Sequence, residues 1–238
     1  MISVIIPTLN DAARLPRTLA PLVHGVSDGL IKQVIISDGG SKDETLEIAE
    51  AAGCDIVSGP AGRGKQLNAG AKAAKGAWFL FLHAGTELGD GWREEVGRFV
   101  TARHARMHAA AFQLAFDDES KEAKRALFWS RVRAHWLKLP YGDQGLLISR
   151  LLYDGLTGYR DLPQSEDVDL IQRIGRKRLT VLKSTAMVSA ERYRGEARTK
   201  ARNLGMMARY LLGANPAELA NAYEAGPPAA ASRRSSGV

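Results

Sequence analysis

Along the first hundred residues the apolar pattern switches repeatedly between short β-branched runs and segments with helical spacing. Residues 3–6 predict a strand ended by Pro7, which cannot donate to a ladder inside a sheet. A helix over 15–22 follows the turn Pro-Thr-Leu-Asn-Asp. Residues 31–37 predict a second strand, closed by Asp38-Gly39-Gly40-Ser41-Lys42-Asp43. Ser41 is the expected cap of the next helix, with Glu44 completing a capping box. A third strand is expected at Asp55–Ser58, and GPAGRGKQLN leads into a helix over 68–74. Residues 78–88, WFLFLHAGTEL, form an apolar run that stops in small and polar residues, the pattern of a central strand buried on both faces. This alternation predicts an α/β chain with a mostly parallel central sheet and helices on both faces.

The second half is less regular. A helix over 91–101 and a strand at Ala109–Phe116 are followed by helical spacing over 119–139, where two tryptophans lie among many cations. That helix suits packing on the sheet, and its composition also suits a membrane surface or an acceptor-binding face. A short apolar stretch at 144–148 leads into a helical start at 150–153. The segment PQSEDVDLIQRIGRKR predicts a helix capped by Ser165, with Glu166 and Asp167 in its first turn and Gly175 at its end. A late strand over 179–182 and a last helix over 199–212 complete the elements. Residues 226–238 read as a disordered tail. The expected organisation is one domain over 1–225, with a nucleotide-binding half (1–100) and an acceptor half (101–225).

Composition adds three constraints. With 45% hydrophobic and 25% charged residues, the 238-residue chain is ordinary for a globular protein, and its single cysteine excludes an internal disulfide. The start MISVIIPTLN lacks signal-peptide features, and no apolar run approaches the roughly 20 residues of a membrane span, so a cytoplasmic location is expected. The net charge of +7 needs an anionic partner or a solvated surface. Its cations cluster at 121–138, at 173–178 and at 192–202. No helix-turn-helix, finger or aromatic strand motif accompanies them, so no nucleic-acid partner is expected.

In a parallel sheet the loops after the strands leave one edge, where ligands bind. The convergent groups are Thr8, Asn10 and Asp11; Asp38 to Asp43; Arg63 to Asn68; and His83 to Glu87. Carboxylates, amides and the basic Gly-Arg-Gly-Lys suit a phosphorylated nucleotide, and Gly39 and Gly40 allow close backbone approach. A dinucleotide fingerprint is absent after the first strand. Gly59 to Lys65 has the Gly-x-x-x-x-Gly-Lys frame, but Gln66 stands where a magnesium-binding Ser or Thr belongs, which argues against an ATPase. Glu166-Asp167, opening a helix, supplies a candidate general base.

The motifs IIPTLND, ISDGGSKDET, GRGKQLNAGAKAAKGAWFLFLHAGTEL, YGDQG and SEDVDL resemble those of family 2 glycosyltransferases of the GT-A fold, over residues 1–200. The closest likeness is to a small bacterial branch named as radical-SAM-associated or arsenosugar-type transferases. The resemblance implies an inverting, non-processive transfer of one sugar from a nucleotide-diphosphate sugar, a UDP-sugar in the first instance, to a small or lipid-linked acceptor. It also allows peripheral contact with the inner membrane face and a homodimer. It assigns Asp167, beside Glu166, as catalytic base. Pro7, Thr8, Asn10, Asp11, Asp38, Gly39, Gly40, Asp43, Arg63, Gln66, Asn68, His83 and Ala84 are assigned to the nucleotide sugar, and Tyr141, Asp143 and Gln144 to the acceptor side.

The resemblance also implies a Mn²⁺ or Mg²⁺ held by an Asp-x-Asp motif, yet this chain has His83-Ala84-Gly85 where the branch keeps His-Ala-Asp. A hard cation wants oxygen ligands, and Gly85 offers none from a side chain. Three readings stay open. Glu87 or His83 substitutes as ligand; or Lys65, Arg63, Arg192 or Arg194 neutralises the diphosphate; or the chain is a non-catalytic nucleotide-sugar binding relative.

Overall fold

The computed structural model describes residues 1–118, 120, 124, 127, 142–162 and 166–189. Most of the expected 119–139 helix lies outside these residues. So do Tyr141, Ser165, Arg192, Arg194, the 199–212 helix and the 226–238 tail. The described residues all belong to one compact unit, Met1–Gly195, and the expected boundary at 225 lies outside the described residues.

The first half builds strands β1 (Ile2–Thr8), β2 (Ile31–Asp38), β3 (Asp55–Ser58) and β4 (Trp78–Phe81) with helices α1 (Leu15–Leu19), α2 (Leu22–Ser27), α3 (Thr45–Ala51) and α4 (Arg63–Ala73). After these come β5 (Glu87–Leu88), α5 (Trp92–Thr101), β6 (Ala109–Phe116) and β7 (Leu146–Ser149). The described chain closes with α6 (Arg150–Gly155), α7 (Glu166–Ile174) and β8 (Leu179–Val188). Among the described residues the eight strands form one sheet in the order β3-β2-β1-β4-β7-β6-β8-β5. β3, β2, β1 and β4 are mutually parallel, whereas β7 runs antiparallel to both β4 and β6. The expected parallel sheet therefore holds for the first half, and the second half is mixed.

Period-two alternation sorts the core. Ile2, Val4 and Ile6 of β1, with Trp78 and Leu80 of β4, pack in a cluster with Leu15, Leu22, Trp92 and Val96. Ile5, Phe79 and Phe81 pack on the other face with Leu67, Ala71, Leu152, Tyr153 and Leu170. On that face Phe81 meets Tyr153 and Tyr159 at ring-centroid distances of 5.3 and 5.1 Å. Burying one such ring contributes about 1.5–3 kcal/mol.

Several sequence expectations are corrected here. β1 runs through Pro7 to Thr8. Ile5 faces β4, because its carbonyl accepts from the Leu82 N–H, so Pro7, two residues on, faces the same side. β4 has already ended there, and the missing donor costs the ladder nothing. The 78–88 run is not one strand. It leaves the sheet after Phe81, turns through Gly85 at φ +90°, and re-enters as β5 at the opposite edge against β8. The 15–22 helix breaks before Pro21 into α1 and α2. Ser41 does not cap α3, which has Glu44 at its N-cap and no side-chain cap bond. Finally, α4 begins at Arg63 rather than near Asn68, entered through Gly62 at φ +139°.

Gly70 fixes how closely α4 approaches β1, since a Cβ there would lie 2.5 Å from Ile5 Cγ2. Gly70→Val should therefore lower stability by about 1–3 kcal/mol through overpacking. The check is a urea unfolding midpoint that falls with an unchanged m-value.

Candidate active site

Because β1, β2 and β4 are parallel, Thr8, Asp38 and the residues after Phe81 emerge at one sheet edge. β7 is antiparallel, with Leu146 opposite Phe81, so the turn at Gly142–Gln144 arrives at the same edge from the other half. A cleft of about 280 Å³ opens there. Its lining includes the expected residues Pro7, Thr8, Asp11, Arg63, Gln66, His83 and Ala84, joined by Leu9, Arg14 and Gly62.

Beside the cleft, Asp38 is 1% exposed, and its carboxylate is spent on the loop that follows it. Oδ1 accepts from the Thr8 and Ser41 hydroxyls, and Oδ2 from the Gly40 and Ser41 N–H groups at 2.7 and 2.8 Å. Burial opposes its ionisation, but the bonds from Ser41, Gly40 and Thr8 outweigh this and hold the carboxyl below its ordinary range. With its lone pairs filled, Asp38 shapes the loop and leaves no acceptor for a nucleotide. Asp43 acts similarly: it accepts from Thr45 and from the Ala12 N–H, and the Thr45 hydroxyl chiefly holds its carboxyl below the ordinary range. Asn10, at φ +55°, donates its N–H to the Ser41 hydroxyl oxygen and accepts the Lys42 N–H on Oδ1.

The GRGK segment is also redistributed. Gln66 donates to the carbonyls of Thr8 and Ser37 at 2.7 and 2.9 Å, pinning α4 to the ends of β1 and β2. A Cβ on Gly39 would come within 3.1 Å of that amide. Gly64 is small because a Cβ would lie 2.7 Å from the Arg160 carbonyl, a packing demand rather than a phosphate cradle. Lys65 stands 3.5 Å from Asp161 and does not line the cleft. Asn68 does not line it either. Its amide donates to the Tyr159 carbonyl at 2.6 Å, while its oxygen accepts from the Tyr153 hydroxyl and the Tyr159 N–H.

On the opposite side, α7 carries Glu166 and Asp167. Buried Asp169 pairs with Arg160 and Arg173, and Arg173 also donates to the carbonyls of Leu156 and Gly158, fixing α7 against the preceding turn. Arg173 is thus structural, not part of a solvated basic surface. Asp167 Oδ2 accepts from the Gly142 N–H at 2.7 Å. His83 Nδ1 lies 3.0 Å from Asp143, and a Cβ on Gly142 would stand 2.6 Å from the His83 ring. His83 consequently joins the cleft to the Asp167 carboxylate. Gln144 does not face an acceptor; it is 1% exposed and donates to the Phe112 carbonyl.

The expected divalent ion does not fit these residues. Glu87 is held by Arg17 at 2.8 Å on edge strand β5, and His83 uses one ring nitrogen on Asp143. Gly85 brings no side-chain oxygen, and its N–H donates to the Thr18 hydroxyl. Among the described residues no three His, Cys, Asp or Glu side chains gather as a ligand set.

Sequence reasoning missed Arg14 and Gly142. The i,i+3 spacing of Asp11 and Arg14 just after a strand-end loop is the signal for the first, and the Tyr-Gly-Asp turn for the second.

Residues 3–156 match the sequence family described as Glycosyl transferase family 2. Glycosyltransferases of PGL/p-HBAD biosynthesis from Mycobacterium tuberculosis and Mycobacterium bovis are 37% identical over an alignment of 95 residues that covers 37% of this chain. The chain spans 36% of the length of these relatives. They overturn the expected placement in a radical-SAM-associated or arsenosugar-type branch. Among solved structures, S. aureus TarS 1–349 in complex with UDP superposes with a TM-score of 0.62 at 19% identity, covering 81% of this chain and 62% of that one. Glucosyl-3-phosphoglycerate synthase from Mycobacterium tuberculosis, in complex with Mn²⁺, UDP and glucosyl-3-phosphoglycerate, gives 0.53 at 22%, covering 79% and 70%.

Glu166 is 2% exposed, and its Oε1 has no hydrogen-bond partner; Arg63 Nη1, at 3.5 Å, is too far for one. Burial, and then the neighbouring Asp167 charge, push its carboxyl above the ordinary 4.5. A raised folded-state pKa gives stability that is complete below the unfolded value and lost as pH rises through the folded one. Glu166→Gln should therefore be more stable than the parent at neutral pH, with the gap closing below about pH 4.5. Parallel denaturant titrations across pH check this.

Proposed function

The chain belongs to glycosyl transferase family 2 and has its GT-A-like fold, and on that premise we propose that it transfers one sugar from a nucleotide-diphosphate sugar, a UDP-sugar in the first instance, with inversion and without processivity. The observation that carries the reading is the position of His83. It lines the cleft on one side and on the other packs against Gly142, whose N–H is bound by Asp167. A donor in the cleft and an acceptor at the Gly142 turn would then meet beside one carboxylate.

In this reading the nucleotide lies along Pro7 to Asp11, with Gln66 and the Asp38 loop fixing the walls. Asp167 takes the proton of the acceptor hydroxyl as its oxygen bonds to the anomeric carbon. The bond from that carbon to the diphosphate breaks, and its electron pair leaves on the phosphate oxygen. Asp143 orients the His83 ring. Glu166, 2% exposed beside Asp167, is less accessible to an acceptor hydroxyl than its neighbour. The acceptor is small or lipid-linked. No helix of the described residues is long and apolar enough to cross a membrane. That is compatible with a cytoplasmic enzyme acting alone or at the inner membrane face.

Purified protein is incubated with UDP-, GDP- and dTDP-sugars, with and without Mn²⁺, and nucleotide release and binding are followed. Asp167→Asn should lower turnover about 10²–10⁴-fold with donor affinity retained. Tight binding of a donor without turnover in the parent chain supports the second reading, a non-catalytic nucleotide-sugar binding relative, which the glycine at position 85 favours. Asp38→Ala should weaken donor binding and also lower the melting temperature. It strands the Gly40 and Ser41 N–H groups and the Thr8 hydroxyl, at a cost of about 1–3 kcal/mol. A loss of affinity with an unchanged melting temperature would return Asp38 to direct nucleotide contact.

A further inference from the structure

We propose that Arg14 is the cation that receives the leaving diphosphate, in the place where a divalent ion would otherwise act. The assignment rests on the donor reading above. Three observations support it. Arg14 lines the cleft together with Arg63, so two arginines border the space assigned to the phosphates. Its stem lies over Gly85: a Cβ there would stand 3.4–3.7 Å from Arg14 Cδ, Cβ and Cγ. The place where an acid would begin is therefore covered by an arginine, on a backbone whose φ of +90° L side chains rarely adopt.

Arg14 is also held for the role. Its guanidinium pairs with Asp11, whose other oxygen accepts the Leu9 N–H, and its backbone N–H bonds to the Asp11 carbonyl. Asp11 is itself fixed, its N–H donating to the Thr45 hydroxyl at 2.8 Å. One carboxylate thus engages one part of a five-donor fork, and the side chain stays half exposed toward the cleft. A planar, permanently charged guanidinium suits phosphate oxygens and stabilises the charge that develops as the carbon–oxygen bond breaks. No ligand set for a hard cation competes for this place among the described residues.

The test compares UDP and uridine binding to the full-length chain by calorimetry, with turnover of a UDP-sugar in parallel. Both are measured with EDTA and with Mn²⁺, in the parent, Arg14→Gln and Arg14→Lys. In the parent, EDTA should change UDP affinity and turnover by less than twofold. Arg14→Gln should weaken UDP at least tenfold while leaving uridine affinity and the melting temperature unchanged, and Arg14→Lys should recover part of the loss. A turnover abolished by EDTA and restored by Mn²⁺ overturns the proposal. So does an Arg14→Gln variant that binds UDP like the parent, or that loses uridine and UDP equally. If the parent binds no nucleoside diphosphate, the donor reading fails and this assignment falls with it. Intact parent binding without an Arg14 effect removes the assignment alone.

Discussion

The reversal of strand direction between β4 and β7 is the constraint on which the site depends. Four parallel strands bring their outgoing loops to one edge, and these loops line the cleft without supplying Asp167. Only a strand entering from that edge delivers a new turn there, and the pairing of Phe81 with Leu146 fixes where the turn falls. Once Gly142 is placed, its N–H locates Asp167, and its missing side chain leaves room for the His83 ring. The candidate site draws on both halves because the sheet is mixed.

Much of the scaffold was legible in the sequence because burial on two faces leaves a strong pattern. The strands at Asp55–Ser58 and Ala109–Phe116 fall where the apolar runs place them. The helix carrying Glu166 and Asp167 opens with its acids and closes at Gly175, whose φ is +81°. What escaped is tertiary. Two glycines around Arg63 read as a loop, yet Gly62 starts a helix and Gly64 admits a neighbouring carbonyl. The 78–88 run read as one strand because hydrophobicity records burial and not which sheet edge is being visited.

The polar residues show the same limit more sharply. Asp38, Gln66 and Asn68 stand in segments that do surround the cleft, and their side chains turn inward to satisfy backbone groups. A sequence identifies a polar side chain near a strand end, whereas the geometry decides whether its lone pairs go to a ligand or to the loop itself. Arg14 is the converse case. Its role was hidden because it stands inside an expected turn-to-helix junction, and only the fold sets it against Gly85.

The Asn68 amide gives the two halves a shared mechanical fate. It bonds at once to the Tyr153 hydroxyl and to both backbone groups of Tyr159, so α4 is clamped to the turn that Arg173 ties to α7. The start of α4, which reaches the cleft through Gly62 and Arg63, is thereby connected to the helix that opens with Glu166 and Asp167. Thermodynamic linkage makes such a connection reciprocal: whatever one occupant does to the affinity of the other is returned in equal measure. A single part-buried amide thus ties the helix that starts at the cleft to the one that carries Asp167.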